Sequence, residues 1–426
     1  MHKRHKYVYS YLENVDCEWD PVTRWKLNKK KTIEGKKKKI DITKVLVHFR
    51  DQTVNLAKKD HNLSDNRVLS FSNIFVITPD IAHSCLRRYP PRYYNAVTKA
   101  MDRKKDWHSI PFPVRTWCSQ MDEVISAQKK FPLAKLRKMV RSFAEASDDL
   151  SSDSDDDRKN NVVQEEESGD SDDEGDDDDD DDDDQDDDDD DFASKNAHND
   201  DALSMSAALL STLVEKFKSW AYNYVLESTF ISQSVLPFLD HVFQRHGMTT
   251  RVGESHVTKR PNSHMADYVA AHVTSTGKAC DVLAVEIKPP SQSSHSQLES
   301  DFVKVGKELK DIIDDLVELG VDDPCAAGIL IEGLKMTTYT MRLVSEGAYI
   351  LLEHGQVSFL HSPQDVHCVP QIIEHLEQLS ALLGPTRRKI DERVVFNRPR
   401  SSRQAWQRQS APVPSKKSER KARNDS

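Results

Sequence analysis

The chain has 426 residues, of which 37% are hydrophobic and 31% charged, and its formal net charge is −11. This length allows two or three domains of ~100–200 residues, while the low apolar content indicates that part of the chain cannot bury a core. No apolar run reaches the ~18 residues that span a bilayer, the basic start leads into no signal-peptide core, and the six cysteines form no CxxC pair. A membrane protein, a disulfide scaffold and a zinc ribbon are thereby excluded, and we expect a reduced, intracellular protein.

Positive and negative charges are segregated along the chain. Residues 1–141 carry 31 Lys and Arg against 14 Asp and Glu, residues 142–201 carry 3 against 31, residues 202–385 carry 13 against 22, and residues 386–426 carry 13 against 4. We therefore predict, with these boundaries, a basic and partly folded N-terminal region, a disordered acidic linker, a folded domain and a disordered basic tail.

Cationic and aromatic residues interleave in the N-terminal region, at Arg87-Arg88-Tyr89 and Arg92-Tyr93-Tyr94. This composition suits phosphate contact combined with base stacking. The same rings are also typical of the core of a small helical domain. We predict a mainly helical N-terminal region and leave both interpretations of the rings open.

The acidic segment contains nine consecutive aspartates, Asp176 to Asp184, and six more from Asp186 to Asp191. Such a run repels itself and stays extended in water. It is either a solubilising linker or a polyanion that imitates nucleic acid and masks a basic surface, in this chain or on a histone-like partner.

The region 202–385 has the pattern of a mixed α/β domain with a helix-flanked mixed β-sheet. Its apolar spacing predicts, in order, a helix over Leu203–Phe243 that Pro237 kinks or divides, strands over Thr249–Val257, Ala266–Val273 and Asp281–Ile287, a helix over Phe302–Leu319 ended by Gly320, strands over Cys325–Ile331 and Thr337–Val344, a hairpin about His354-Gly355, and a helix over Gln364–Leu383.

Two carboxylates and one ammonium group fall at one end of this predicted sheet. Glu286 and Lys288 project from the same face of a strand, and Asp267 lies near Glu286 if the neighbouring strands pair about the turn at 275–278. Adjacent carboxylates raise each other's pKa unless a divalent cation neutralises them, so we predict that Asp267 and Glu286 bind Mg²⁺ or Mn²⁺. Lys288 would hold the attacking water or stabilise negative charge, and Glu227, on a core-facing helical stripe, is a candidate additional ligand.

This constellation resembles the PD-(D/E)xK nuclease superfamily over residues 222–335. Asp267 matches the first motif acid, Glu286 and Lys288 match the ExK element, and Glu227 matches the acid on the first core helix. The resemblance implies a restriction-endonuclease-like core of the order α-β-β-β-α-β. It also implies that these residues bind magnesium and activate water for phosphodiester hydrolysis.

The sequence departs from that family at Ala266, which stands where proline precedes the acid. The string 286–290, followed by 303–307, also resembles a group of fungal proteins, and this second resemblance implies no activity. A bare ExK string occurs four times in the chain, but only Glu286-Ile287-Lys288 lies on an apolar strand. The structural alternative is that these residues are merely an exposed, polar strand end.

We therefore predict a nuclear, magnesium-dependent nuclease that acts on DNA or RNA. The alternative is an inactive scaffold of the same fold that binds nucleic acid or basic partners through its charged segments. Lys304 and Lys307, on the helix after the ExK strand, either contact phosphate or lie on a solvated helix face.

Overall fold

The structure, a computed structural model, describes residues 19, 21, 24–28, 39–59, 63–101, 110–128, 130–152, 191–220, 226–258, 264–291, 299–396, 401–408 and 410. The chain divides into two compact units. One comprises residues 110–219, and the other comprises residues 1–109 together with 220–426.

The strands in the described part of the chain are β1 (Lys26–Asn28), β2 (Lys39–Asp41), β3 (Ile74–Ile77), β4 (Met248–His256), β5 (Met265–Val273), β6 (Ala279–Lys288), β7 (Cys325–Glu332), β8 (Lys335–Ser345) and β9 (Ala348–Ser358). The helices are α1 (Ile42–Lys58), α2 (Asp65–Phe71), α3 (Pro91–Met101), α4 (Phe112–Ser126), α5 (Leu133–Ser152), α6 (Asp191–Phe217), α7 (Glu227–Phe230), α8 (Leu236–Arg245), α9 (Asp301–Leu319) and α10 (Val369–Phe396). A π-helical turn at Ile231–Val235 joins α7 to α8.

A seven-stranded mixed sheet, in the order β3-β9-β8-β7-β6-β5-β4, is the centre of the larger unit among the described residues. Strands β4, β5 and β6 are antiparallel neighbours, β6 and β7 are parallel, and β7, β8 and β9 are antiparallel. The parallel β6–β7 pair requires a crossover, which α9 provides. The predicted mixed α/β class is thus confirmed.

Helices cover both faces of this sheet. Gly328 of β7 lies against Leu309 of α9, so a Cβ at that glycine would come within 2.7 Å of the leucine. On the other face, the hydroxyl of Thr338 in β8 hydrogen-bonds to His375 of α10 at 3.2 Å. The hydroxyl of Tyr268 donates to Asp240 of α8 at 3.2 Å, also on that second face. The unit is therefore a helix–sheet–helix sandwich.

The N-terminal region is part of the sheet, contrary to the predicted boundary at residue 141. Strand β3 pairs in parallel with β9, and all four of its residues are buried. Phe75 and Ile77 share one core cluster with Ile350 and Leu352. The sequence pattern could not reveal this pairing because the two strands lie more than 270 residues apart, and the charge difference between the regions suggested separate domains.

The predicted helix over Leu203–Phe243 is two structures in two different units. Helix α6 ends at Phe217 and belongs to the smaller unit, whereas α7, the π-helical turn and α8 belong to the larger one. Pro237 is the second residue of α8, directly after the π-helical turn. The proline therefore lies where the helical segment changes from the π to the α pattern.

In its described residues, the smaller unit consists of helices α4, α5 and α6. Trp117 of α4 stacks on Phe143 of α5 with ring centroids 4.8 Å apart, and Arg137 of α5 pairs with Glu215 of α6. Residues 142–152 and 191–201 thus lie in helices rather than in the predicted disordered linker, while the aspartate runs from 176 to 190 lie outside the described residues.

Two predictions near the C-terminal end were also wrong. Strand β9 runs unbroken through His354-Gly355, where its pairing with β8 carries a bulge, and the hairpin turn is instead at Gly347, which has a φ of +66°. Helix α10 continues to Phe396, and the segment 401–408 packs on the same unit: the N–H of Gly347 donates to the carbonyl of Trp406 at 2.7 Å. The predicted disordered tail from residue 386 therefore begins with ordered structure. Residues 411–426 lie outside the described part.

Among the described residues, no helix combines the length and the apolar character needed to cross a membrane.

Candidate functional site

The pairing of β5 with β6 brings Asp267 and Glu286 together. Tyr268 is opposite Val285, so the next pair outward is Asp267 and Glu286, whose side chains leave the same face of an antiparallel sheet. A carboxylate oxygen of Asp267 accepts a hydrogen bond of 2.8 Å from the N–H of Ile287. The turn at 275–278 joins the two strands as the sequence predicted, but a β-bulge at Val282, between the pairs Ala271–Asp281 and Ala270–Leu283, is what brings the two acids opposite each other.

The face that carries these acids is the one covered by α9. Ala284 of β6 pairs with Gly328, which packs against α9, so the alternating positions Glu286 and Lys288 face the same side. Glu286 is 2% exposed, and Asp267 and Lys288 are half-buried. The acids are thus withdrawn from bulk water but surrounded by polar groups of α7 and α9.

Burial shifts the pKa of both acids. Desolvation raises the pKa of Asp267 despite the Ile287 N–H and the nearby Lys288 ammonium, which lower it. Desolvation, followed by the negative charge of Asp267, raises the pKa of Glu286 to about 7. Two such carboxyls favour a cation or a proton between them.

Lys288 contacts Glu227 rather than either of the two strand acids. Its ammonium nitrogen lies 3.2 Å from a carboxylate oxygen of Glu227, the first residue of α7. Burial lowers the pKa of Lys288, but the charges of Asp267 and Glu227 outweigh that effect and raise it. Lys288 is therefore a fixed cation. The predicted proximity of Glu227 holds, although this residue is at a helix start and not on a core-facing stripe.

Helix α9 contributes a second cation that the sequence interpretation left on a solvated face. The ammonium group of Lys304 lies 2.8 Å from Asp301 and 3.5 Å from Glu286. Burial lowers the pKa of Lys304, but the two carboxylates together raise it by more, so the pKa is raised overall. Lys307, assigned to the same polar face, is instead fully buried and paired with Glu299. Elsewhere on α9, Gly306 packs against Leu69 of α2, so this helix contacts both the sheet and α2.

Glu308 lies one helical turn beyond Lys304 and is fully buried. Neither of its carboxyl oxygens meets an N–H or O–H donor in the described part of the chain. Burial and the adjacent Glu286 carboxyl raise its pKa well above the usual value. Glu308 therefore faces Glu286 either as a protonated acid or as a carboxylate that needs a cation.

The site has more carboxyl groups than ammonium groups. Its five carboxyls belong to Glu227, Asp267, Glu286, Asp301 and Glu308, and its two ammonium groups belong to Lys288 and Lys304. One oxygen of the fully buried Asp301 also has no donor among the described residues. An excess of hard oxygen donors, some of them orphaned, fits a divalent cation of the magnesium class. No group of three or more His, Cys, Asp or Glu side chains, in the part of the chain that the structure describes, is already arranged to hold a metal ion.

The structure thus brings Asp267, Glu286, Lys288 and Glu227 to one end of the sheet. Sequence reasoning missed Asp301 and Glu308 of α9, and it offered Lys304 as a phosphate contact or a solvated residue rather than as the partner of Glu286 and Asp301. The available signal was the spacing of three and four residues, which aligns them on one helix face. This spacing did not point to the site, because the apolar stripe along the other side of the same helix suggested that the polar face was in water.

A search with the whole chain found no matching family model, no matching curated protein and no matching solved structure.

Proposed function

We propose that this site hydrolyses nucleic-acid phosphodiester bonds with a divalent cation, in the manner of PD-(D/E)xK nucleases. The observation that carries the proposal is the convergence of Asp267, Glu286 and Lys288 on the face under α9, with carboxyl groups in excess of their cations. DNA and RNA are both candidate substrates, and the proposal includes a nuclear location.

The chain topology supports this proposal. Helices α7 and α8 precede three antiparallel strands, β4 to β6, and α9 then leads to β7, which is parallel to β6. This is the order α-β-β-β-α-β expected of a restriction-endonuclease-like core. The additional strands β8, β9 and β3 extend the sheet beyond β7 and leave the end that carries Asp267 unaltered.

Each residue has a role that its surroundings favour. Asp267 and Glu286 would hold the cation, which when bound supplies positive charge to a phosphoryl oxygen and makes a bound water more acidic. Lys288, fixed by Glu227, would donate a hydrogen bond to a phosphate oxygen and stabilise its developing charge. Lys304 holds Glu286 and Asp301 in place.

The test is cleavage of labelled single- and double-stranded DNA and RNA by the full chain, with Mg²⁺, Mn²⁺ or EDTA. We expect cleavage only with metal, and a loss of at least ~100-fold in Asp267→Asn and in Lys288→Met, because each removes charge from the reacting centre. Asp281→Asn is the matched control, since Asp281 is at the opposite end of β6 and pairs with Arg251 at 2.9 Å. Cleavage that survives Asp267→Asn removes this residue from the reaction.

A second candidate function, an inactive nucleic-acid-binding scaffold of the same fold, is favoured by the near-complete burial of Glu286 and by its contact with Lys304. An ammonium group at that position competes with a metal ion for the carboxylate. Calorimetric titration with Mn²⁺ separates the two candidates: the hydrolase should bind Mn²⁺ and lose that binding in Glu286→Gln. A chain that neither binds Mn²⁺ nor cuts any substrate is the scaffold.

A further inference from the structure

A second polar site lies in the N-terminal part of the larger unit. It is a pocket of about 170 Å³ between α1, α2 and the segment 85–89. The polar residues that line it are His48, Gln52, Arg67, Arg87, Arg88 and Tyr89. None of these residues belongs to the site under α9.

The three arginines of this pocket are not neutralised by the part of the chain that the structure describes. Neither Arg67, Arg87 nor Arg88 forms an ion pair with a described carboxylate. Burial, and then the positive charges of Arg87 and Arg88, lower the pKa of Arg67. Like charges held together around a concavity favour an anion between them.

Neutral contacts orient two of these guanidinium groups. Arg67 donates to the hydroxyl of Thr53 at 2.9 Å and stacks over the Phe49 ring, 4.8 Å from its centroid. Arg88 donates to the side-chain carbonyl of Gln52 at 3.5 Å. Because these partners carry no charge, the cations keep their full attraction for a ligand.

The size and lining of the pocket favour a single phosphate group. A volume of about 170 Å³ equals roughly five or six waters, which is below the ~300 Å³ of a typical small-molecule site. The planar fork of a guanidinium group matches the oxygens of a phosphate. Tyr89 also lines the pocket, with a half-buried ring that packs on the core and lies 5.7 Å from the Tyr93 ring.

Helix α2 connects this pocket with the site under α9. Arg67 of this helix lines the pocket, and Leu69 packs on Gly306 of α9. The pKa of Glu332 is raised by burial most of all, then by the charge of Asp301 and then by the charge of Asp65 in α2. Glu332 is the β7 residue paired with Lys288. The seven residues of α2 extend over about 10 Å. Residues of this one short helix therefore adjoin both the pocket and the surroundings of the acidic site.

We propose that the pocket formed by Arg67, Arg87 and Arg88 binds a backbone phosphate of a nucleic-acid strand and so holds that strand beside the site under α9. This inference deepens the proposed function and rests on it for the identity of the strand as substrate. Binding itself requires neither metal nor hydrolysis.

The test measures binding of the full chain to a fluorescent single-stranded oligonucleotide of about 15 nucleotides, by anisotropy in EDTA over a series of salt concentrations. The double variant Arg87→Gln/Arg88→Gln changes two exposed side chains, so the fold should persist, as circular dichroism will check. We expect Kd to rise at least about ten-fold and the salt slope to fall by about 0.7, because the loss of one phosphate contact removes about 0.7 from the slope for a single strand.

The matched control is Lys135→Gln/Lys138→Gln, which removes two exposed cations from α5 and should change Kd less than about two-fold. Equal losses in the two double variants would mean that only net charge matters, and the proposal would be overturned. It is also overturned if a poly-aspartate peptide of equal charge displaces the oligonucleotide, since the pocket would then take acidic proteins. A third result would assign the pocket to free phosphate: inorganic phosphate binds to the protein, while the double variant binds the oligonucleotide as tightly as the unchanged chain does. That result would also overturn the proposal.

The outcomes for the two sites are separable. An oligonucleotide that binds through Arg87 and Arg88 but is never cut leaves this proposal standing and removes the hydrolytic one. Metal-dependent cleavage at an undiminished rate in Arg87→Gln/Arg88→Gln does the reverse.

Discussion

Lys304 neutralises two carboxylates that the fold keeps out of water. Asp301 is fully buried and Glu286 nearly so, and the Lys304 ammonium group is within 3.5 Å of both. A buried charge that loses its partner is costly, because neither water nor another donor can replace the lost interaction. Lys288 differs, since its partner Glu227 has a side chain that is 29% exposed.

Lys304→Met should therefore lower the free energy of unfolding by about 2–4 kcal/mol, because it leaves Asp301 and Glu286 without a cation. Lys278→Met, in the exposed turn between β5 and β6, is the control and should stay within about 0.5 kcal/mol. Urea denaturation of both variants in EDTA gives the comparison. Equal stabilities would mean that Asp301 and Glu286 are uncharged in the folded protein.

Helix α9 is held at both ends. Ser300 caps its start by accepting from the N–H of Val303 at 3.2 Å, and Gly320 ends it with a φ of +98°. A Cβ at Gly320 would come within 2.3 Å of Arg393 of α10, whose guanidinium group donates to the carbonyl of Leu319 at 2.9 Å. The end of α9 is thus fitted against α10, and this fixes the direction in which Lys304 and Glu308 reach the sheet.

Gly320→Ala should cost about 2–3 kcal/mol of stability, since it combines a left-handed backbone conformation with displacement of Arg393. Gly277→Ala is a matched control, because Gly277 has a φ of +78° and nothing within 4 Å of its added Cβ. It should cost only about 1 kcal/mol, from the backbone alone. Thermal unfolding measures both, and equal losses would mean that Arg393 moves aside without cost.

The sheet and the segments packed on it come from distant parts of the chain. The edge strand β3 comes from the basic N-terminal region, and the segment 401–408 contributes Arg403, which contacts Asp323 at 2.7 Å. Both lie outside the region 202–385 that the sequence pattern marked as a domain. Within the region 202–385 alone, β9 would be an edge strand of the sheet. Its apolar residues are covered only when residues 74–77 are present.

A fragment of residues 202–385 should accordingly fail to unfold cooperatively, because Ile350 and Leu352 lose the buried partners Phe75 and Ile77. The comparison is the full chain with residues 153–190 deleted, a segment that contributes no residue to the larger unit. We expect that deletion to leave the urea unfolding of the larger unit unchanged. A fragment with the stability of the full chain would mean that β3 is dispensable.

Local pattern was sufficient for the elements around the candidate site. The strands β4, β5, β6 and β7, the helix α9 and the turn at 275–278 match their predicted positions to within two residues, because each has its own period, cap or turn glycine. Asp267 and Glu286 were predicted as neighbours because β5 and β6 pair about this turn, but their exact alignment also depends on the β-bulge at Val282, which the sequence pattern did not predict.

Long-range contacts were beyond that reasoning. The polar residues Lys304, Lys307 and Glu308 have the spacing of a solvated face, yet Lys307 and Glu308 are fully buried and Lys304 is half-buried, because each faces charged groups of other segments. The pairing of β3 with β9 likewise joins segments that lie hundreds of residues apart. The docking of 401–408 also depends on contacts with residues much earlier in the chain, such as Asp323. Periodicity and turn chemistry act between neighbours in the sequence; they determined the strands and the end of the sheet at which the two acids lie. Burial depends on what the remainder of the chain covers, so it was the packed structure that decided which charges meet at the site.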